Sequence, residues 1–131
     1  MKRPKWIDPH VLLLLHAETL SEHGGLFGLR DENAFHAALS RPKNIFAYKS
    51  KTDIPELAAA YGFGIARSHP FNDGNKRIAF LSVGLFLSLN GYELNSSEAE
   101  AVEAIMNLAA GELREEELAE WIRMHMRKIS L

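Results

Sequence analysis

His69-Pro-Phe-Asn-Asp-Gly-Asn-Lys-Arg77 runs without a break into Ile78-Ala-Phe-Leu-Ser-Val-Gly-Leu-Phe-Leu-Ser-Leu89. A polar, turn-rich loop feeds directly into a segment that is apolar on nearly every side. Pro70 biases His69 away from helical geometry, so a preceding helix ends there. A new helix is predicted over Asn75 to Asn90, with Gly91 closing it. Its residues Ile78, Phe80, Leu81, Val83, Leu85, Phe86, Leu87 and Leu89 leave it no polar face. Such a helix is surrounded by other helices, and it is expected to be the central element of an all-α bundle of about six helices. The apolar run Ile78 to Leu89 falls well below the roughly 18 residues that span a bilayer, so it reads as core.

Working outward, the other elements also read as helices. Asp8 and Pro9 are an N-cap and a first-turn proline for a helix to about His23, closed by a left-handed Gly24-Gly25. Asp31 caps a second helix with Phe35, Ala38 and Leu39 on one face, which Pro42 is expected to end. A short third helix is expected around Ile45 to Tyr48. Pro55 opens a further helix whose Leu57, Tyr61, Gly64, Ile65 and Ser68 form one stripe. Ala58, Ala59, Ala60, Gly62 and Ala66 keep it narrow, and its two glycines imply close helix contact, because glycine otherwise costs about 1 kcal/mol in a helix. Ser97 caps a helix with Val102, Ile105, Met106 and Ala109 on one face. The last helix carries Leu118, Trp121, Ile122 and His125. Its acidic start, Glu115 to Glu117, and basic end, Arg123, Arg127 and Lys128, suit the helix dipole. No strand run, repeat or linker stands out, and residues 1–131 read as one domain.

The bulk composition sets the class. The 131 residues are 47% apolar and 24% charged, ordinary for a globular protein, with a net charge of −2. That balance argues against nucleic acid as the main partner. Basic residues bunch locally at Arg41, Lys43, Lys49 and Lys51, which read as a solvated loop. The absence of cysteine removes disulfides, thiolate metal sites and a thiol nucleophile, and fits a reducing compartment. The basic N-terminus is followed by an apolar run, Val11 to Leu15, too short for a secretory signal. A cytoplasmic location with no membrane association is expected.

The chemistry-bearing stretch is the loop itself. Glycine and asparagine or aspartate residues just before a helix leave several backbone N–H groups free to point at one spot, at the positive end of the helix dipole. Lys76 and Arg77 add full charges, and a phosphate suits such a place. Asp73 can hold Mg²⁺ together with phosphate oxygens and water. His69 can take a proton from an attacking hydroxyl. Together these residues describe phosphoryl or nucleotidyl transfer to a hydroxyl, dominated by positioning and charge neutralisation. The same Asn-Asp-Gly is also ordinary turn chemistry, and a histidine beside it also serves as a cap. Phe71 reads as the apolar anchor of the loop.

As a string, His69 to Arg77 resembles the signature of the Fic/Doc superfamily, H-x-F-x-[D/E]-G-N-[G/K]-R, at every constrained position in order. Lysine at 76, where AMP-transferring Fic proteins have glycine, is similar to the Doc (death-on-curing) toxin branch. Leu15-His16, Gly24-Gly25, Gly28-Leu29-Arg30-Asp31, Ala38-Leu39, Arg41-Pro42, Leu57-Ala58 and Leu89-Asn90-Gly91 extend the resemblance over nearly the whole chain.

The resemblance implies a compact Fic/Doc-type helical bundle. It implies His69 as catalytic base, Asp73 as the Mg²⁺-holding acid, Gly74 and Asn75 as an anion-hole turn, and Lys76 and Arg77 as phosphate contacts. A second arginine, common in Fic proteins three residues after the first, is here Phe80, which favours the Doc reading. For that branch the resemblance implies phosphoryl transfer from ATP or another nucleoside triphosphate to a threonine of elongation factor Tu, blocking translation. AMP transfer to a protein hydroxyl, or a non-catalytic module binding phosphate or a peptide, are the alternatives. It further implies an antitoxin whose disordered C-terminal segment inhibits in trans. The cis-inhibitory pattern S/T-x-x-x-E-G/N is incomplete here, since Ala101 follows Ser96 to Glu100.

Elsewhere, His16 and His125 read as hydrogen-bonded packing residues, and Trp6 and Trp121 as core. His10, His23 and His36 lack metal-ligand spacing. Arg67 suits either a substrate contact or the surface, and Tyr48 with Lys49 is a candidate flap over a nucleotide.

Overall fold

The computed structural model describes residues 3–49 and 51–129. Six helices and one pair of short strands make up the described chain: α1 (Pro9–His23), α2 (Glu32–Tyr48), α3 (Ile54–Ser68), α4 (Asn75–Leu89), β1 (Tyr92–Leu94), α5 (Glu98–Ala109), α6 (Glu115–His125) and β2 (Met126–Lys128). The all-helical architecture is the one expected. None of these helices is long and apolar enough to cross a membrane.

The helix starts follow local chemistry. The side chains of Asp8, Asp31, Asp53 and Ser97 accept hydrogen bonds from the first-turn amides of His10, Ala34, Glu56 and Glu100. Each thereby satisfies a donor that has no partner within its helix. Ser97 and Glu100 form a complete capping box. At the other end of α1, Gly24 has φ 81° but an extended ψ of 171°. Glycine is needed there for its positive φ, yet the turn is not the left-handed helical cap expected.

Proline 42 does not end α2. The helix continues through it to Tyr48 and absorbs the short helix expected at Ile45. An interior proline removes one helical hydrogen bond, here to the Ala38 carbonyl, at a cost of roughly 3 kcal/mol. The burial beyond it offsets that cost: Pro42 is buried, Ile45 and Phe46 pack on the core, and the Phe46 ring meets Trp6 edge-on at 5.8 Å. Arg41 and Lys43 are therefore helical rather than in a loop, and Arg41 forms a two-pronged pair with Glu115 at 2.5 and 3.1 Å.

The helix at the centre is α3 rather than α4. It lies against α2, α4, α5 and α6, while α4 lies against α1, α3, α5 and β1. Nine of the fifteen residues of α3 are buried, against six of fifteen in α4. The reason is girth. A β-carbon added at Gly64 would stand 3.2 Å from Ala38, and one at Gly62 would stand 3.0 Å from Val83. Neighbours thus close on α3 from several sides, whereas Phe80, Leu81 and Leu85 of α4 stay half-exposed at the rim.

Two further expectations shift. The buried face of α5 is Ala101, Ala104, Ile105 and Leu108, leaving Met106 half exposed. The chain after His125 is β2, antiparallel to β1 with Glu93 opposite Arg127, so Arg127 and Lys128 lie beyond the helix they were expected to cap. Three-residue strands are too short for a period-two pattern to be legible.

Candidate active site: the loop between α3 and α4

The loop begins in strained backbone. His69 caps α3 at φ 50°, ψ 60°, and among the described residues it alone is a non-glycine at positive φ. Proline at 70 bars it from continuing the helix, and the left-handed conformation turns its side chain out of the bundle. The histidine is exposed, with no hydrogen-bond partner for its ring among the described residues. Arg30 holds the main chain in place: its Nε donates to the His69 carbonyl at 2.7 Å and its Nη2 to the Ser68 carbonyl at 2.8 Å.

The far end of the loop is closed by Asn75. Its side-chain amide donates to the Phe71 carbonyl at 2.9 Å and accepts from the Phe71 amide at 3.0 Å. What Asn75 offers a ligand is therefore its own backbone N–H. Phe71 is 1% exposed and packs edge-on against Phe35, as expected of an anchor. The turn is then carried by Gly74, at φ 77°, and among the described residues no side chain caps α4. The first-turn amides of Asn75, Lys76 and Arg77 have no acceptor among the described residues, so the positive end of the helix stays open to an anion.

A second loop, residues 24–31, clasps the first. The amides of Arg30 and Asp31 donate to the Pro70 carbonyl, and the Asn72 amide donates to the Gly28 carbonyl. Leu29 bridges Phe71 in an isolated β-bridge. The Leu26 amide donates to Oδ2 of Asp73 at 2.8 Å, and Asn72 Nδ2 donates to the Phe27 carbonyl. From below, buried His16 reaches the Asp73 carbonyl at 2.8 Å.

His69, Asn72, Asp73, Gly74, Asn75, Lys76 and Arg77 line a single cleft of about 340 Å³. The expected site residues thus come together, apart from Phe71, which anchors the loop beneath. Lys76 is exposed without an ion pair among the described residues, whereas Arg77 pairs with Glu98 of α5 at 3.2 Å.

The fit to a divalent cation follows from the donors present. Among the described residues, Oδ1 of Asp73 has no hydrogen-bond partner and no group of three metal-ligating side chains occurs. One carboxylate oxygen suits a Mg²⁺ ion held mainly by phosphates and water, not one caged by protein.

Other candidates are placed elsewhere. Arg67 lies with Arg41 beside the Phe63 ring. Tyr48 is 90% exposed at the end of α2, and Lys49 pairs with Glu56 in a cleft with Glu115 and Glu116, so the loop hydrogen-bonded over the site is 24–31 instead. Glu100 is tied into its own helix cap. Arg30 and the 24–31 loop are the site components that the residue-by-residue reading missed. The glycines Gly24, Gly25 and Gly28 marked a tight turn there, but nothing local tied it to residue 69.

Comparison with known proteins fits this geometry. The Fic/DOC family profile matches residues 6–87, which span α1, both loops and most of α4. The protein kinase Doc of Escherichia phage P1 is 37% identical over 117 residues, covering 89% of this chain and 92% of that protein. The toxin Doc of Mycolicibacterium smegmatis is 33% identical over 89 residues, 66% of this chain and 68% of that protein. With the signature loop, the helical architecture and these similarities in agreement, the chain belongs to the Fic/Doc family.

Proposed function

We propose that this chain is a Doc-like toxin that transfers the γ-phosphoryl group of a nucleoside triphosphate, ATP being the simplest, to a hydroxyl of a translation factor such as elongation factor Tu. One observation carries the reading. An exposed histidine, a carboxylate, two cations and an uncapped helix terminus open onto one cleft. A phosphate-binding turn alone would not need the histidine and the acid.

In this mechanism the amides of Gly74 and Asn75, with Lys76 and Arg77, hold the phosphate chain. Bound Mg²⁺, at the Asp73 carboxylate, would supply charge neutralisation on the phosphates. The acceptor hydroxyl oxygen attacks the γ-phosphorus as His69 takes its proton, and the nucleoside diphosphate leaves. Arg30 holds the His69 main chain, so the imidazole is presented from a fixed point on the rim.

Inhibition in trans by an antitoxin with a disordered C-terminal segment completes the proposal. Two Doc relatives and the incomplete cis-inhibitory pattern, in which Glu100 caps its own helix, support it. A translation factor as target requires the protein to act in the cytoplasm.

The test is incubation with elongation factor Tu and ATP labelled separately at the α- and γ-phosphates. γ-Label on the acceptor, lost with His69→Ala, is the expected result. α-Label instead identifies AMP transfer. A His69→Ala protein as toxic as the wild type points to a binding module.

A further inference from the structure

His16 is one of three buried polar residues among those described, 2% exposed at the end of the apolar run Val11 to Leu15 of α1. A buried imidazole is costly unless its nitrogens are matched. Its Nε2 lies 2.8 Å from the Asp73 carbonyl. A carbonyl only accepts, so the proton sits on Nε2 and the tautomer is set by the loop. The ring stacks on Phe71, with centroids 3.7 Å apart and planes 16° from parallel. It also lies under Gly74, where an added β-carbon would stand 3.6 Å from Nε2.

We infer that His16 is a positioning residue for the site: its Nε2–H anchors the Asp73 carbonyl and so aims the Asp73 carboxylate and the Gly74–Asn75 amides into the cleft. The inference rests on reading that loop as a phosphoryl-transfer site. The physical case is one of rigidity. Loops are mobile unless tied down, and this turn must present a carboxylate and two amides at once. His16 touches the turn at residues 71, 73 and 74 from a helix interior. Packing alone does not require the polar contact, since leucine or methionine fills a buried helix position without a nitrogen to satisfy. The bond also ends on the residue whose carboxylate is already held by the Leu26 amide, so Asp73 is fixed at both main chain and side chain.

Three substitutions separate the donor from the packing. His16→Gln places an amide N–H where Nε2 stands. His16→Asn stops short, near the Nδ1 position. His16→Phe keeps the stack on Phe71 and removes the donor. Two readouts are measured on each folded protein: NMR hydrogen exchange of the Phe71 and Asn72 amides, which the loop's own hydrogen bonds protect, and γ-phosphoryl transfer from Mg-ATP.

Expected are near wild-type behaviour for Gln, and faster exchange for Asn and Phe. In the latter two kcat falls about 100-fold while KM for ATP moves less than about 3-fold, as for misplaced rather than missing groups. Wild-type exchange in the Asn and Phe variants overturns the inference. So does a Gln variant as impaired as Asn, or lost protection with kcat unchanged. Should the Phe variant not fold, the Gln and Asn pair decides. If the wild type transfers no label, the phosphoryl-transfer reading falls, and the exchange data still decide whether His16 sets the turn.

Discussion

The guanidinium of Arg30 binds the main-chain carbonyl of His69 at 2.7 Å, so the exposed histidine at the mouth of the cleft is held by a residue 39 positions earlier. The same side chain closes the end of α3 through Ser68. A cation at a helix C-terminus complements the dipole. Here it also holds a left-handed residue in a conformation that only surrounding structure can maintain.

Arg30→Ala is therefore expected to lower γ-phosphoryl transfer by about 10- to 100-fold through misplacement of the imidazole. Stability should fall by about 1 to 3 kcal/mol, since two exposed hydrogen bonds from a charged donor are lost. Arg30→Lys, with one donor centre in place of a fork, should recover part of the rate. Single-turnover transfer and urea unfolding on the same preparations check both.

Glu98 pairs with Arg77 at 3.2 Å and would compete there with the phosphate of the proposed nucleotide. The pair is partly exposed, so its worth is roughly 0.5 kcal/mol. Glu98→Gln should tighten ATP binding about 2-fold at low salt, with the difference fading as salt screens the pair. Calorimetric titration at two ionic strengths measures it, and weaker binding in the variant would contradict the assignment.

The capping box of α5 predicts an acid-side loss of stability. Hydrogen bonds from the Ser97 side chain and backbone hold the Glu100 carboxyl below its ordinary range, and the Arg114 amide does the same for Glu117. A carboxyl with a depressed native pKa contributes stability above the unfolded value, about 4.3, and loses it as pH falls through the lower native one. Ser97→Ala should cost about 1 kcal/mol at neutral pH and show a shallower acid limb. Denaturant midpoints across pH 3 to 7, an interval of about four units, report both.

Tyr61 predicts the opposite limb. Its ring is fully buried, its hydroxyl accepts from the Ile7 amide, and burial raises its pKa above the ordinary phenolic value. The unfolded phenol ionises near pH 10 while the native one stays neutral, so stability is intact below that value and declines above it. Tyr61→Phe should remove this tyrosine's share of the alkaline decline, and cost about 1 kcal/mol near neutrality by leaving the Ile7 amide without its acceptor. Tyrosinate absorbance followed alongside unfolding identifies the group.

Much of this was legible in the chain because it is written locally. The caps at Asp8, Asp31 and Ser97 and the stop at His69-Pro70 depend on residues within one helical turn. The loop signature is contiguous, so its gathering into one cleft needed no long-range information. Pro42 shows where local reading fails. Its cost is real, but burial of Ile45 and Phe46 by distant parts of the chain outweighs it.

By itself, then, the amino-acid order determined an all-helical fold and a loop of free amides, an acid, two cations and a histidine ahead of an apolar helix. Tertiary structure alone decided that α3 is the hub, because girth matters only once neighbours approach. It alone decided that His16 and Arg30, far from the loop in sequence, hold its two ends, and that Glu98 occupies Arg77. Such contacts join residues 21 to 57 positions apart, and no propensity or spacing rule acts over that distance; only packing brings them together.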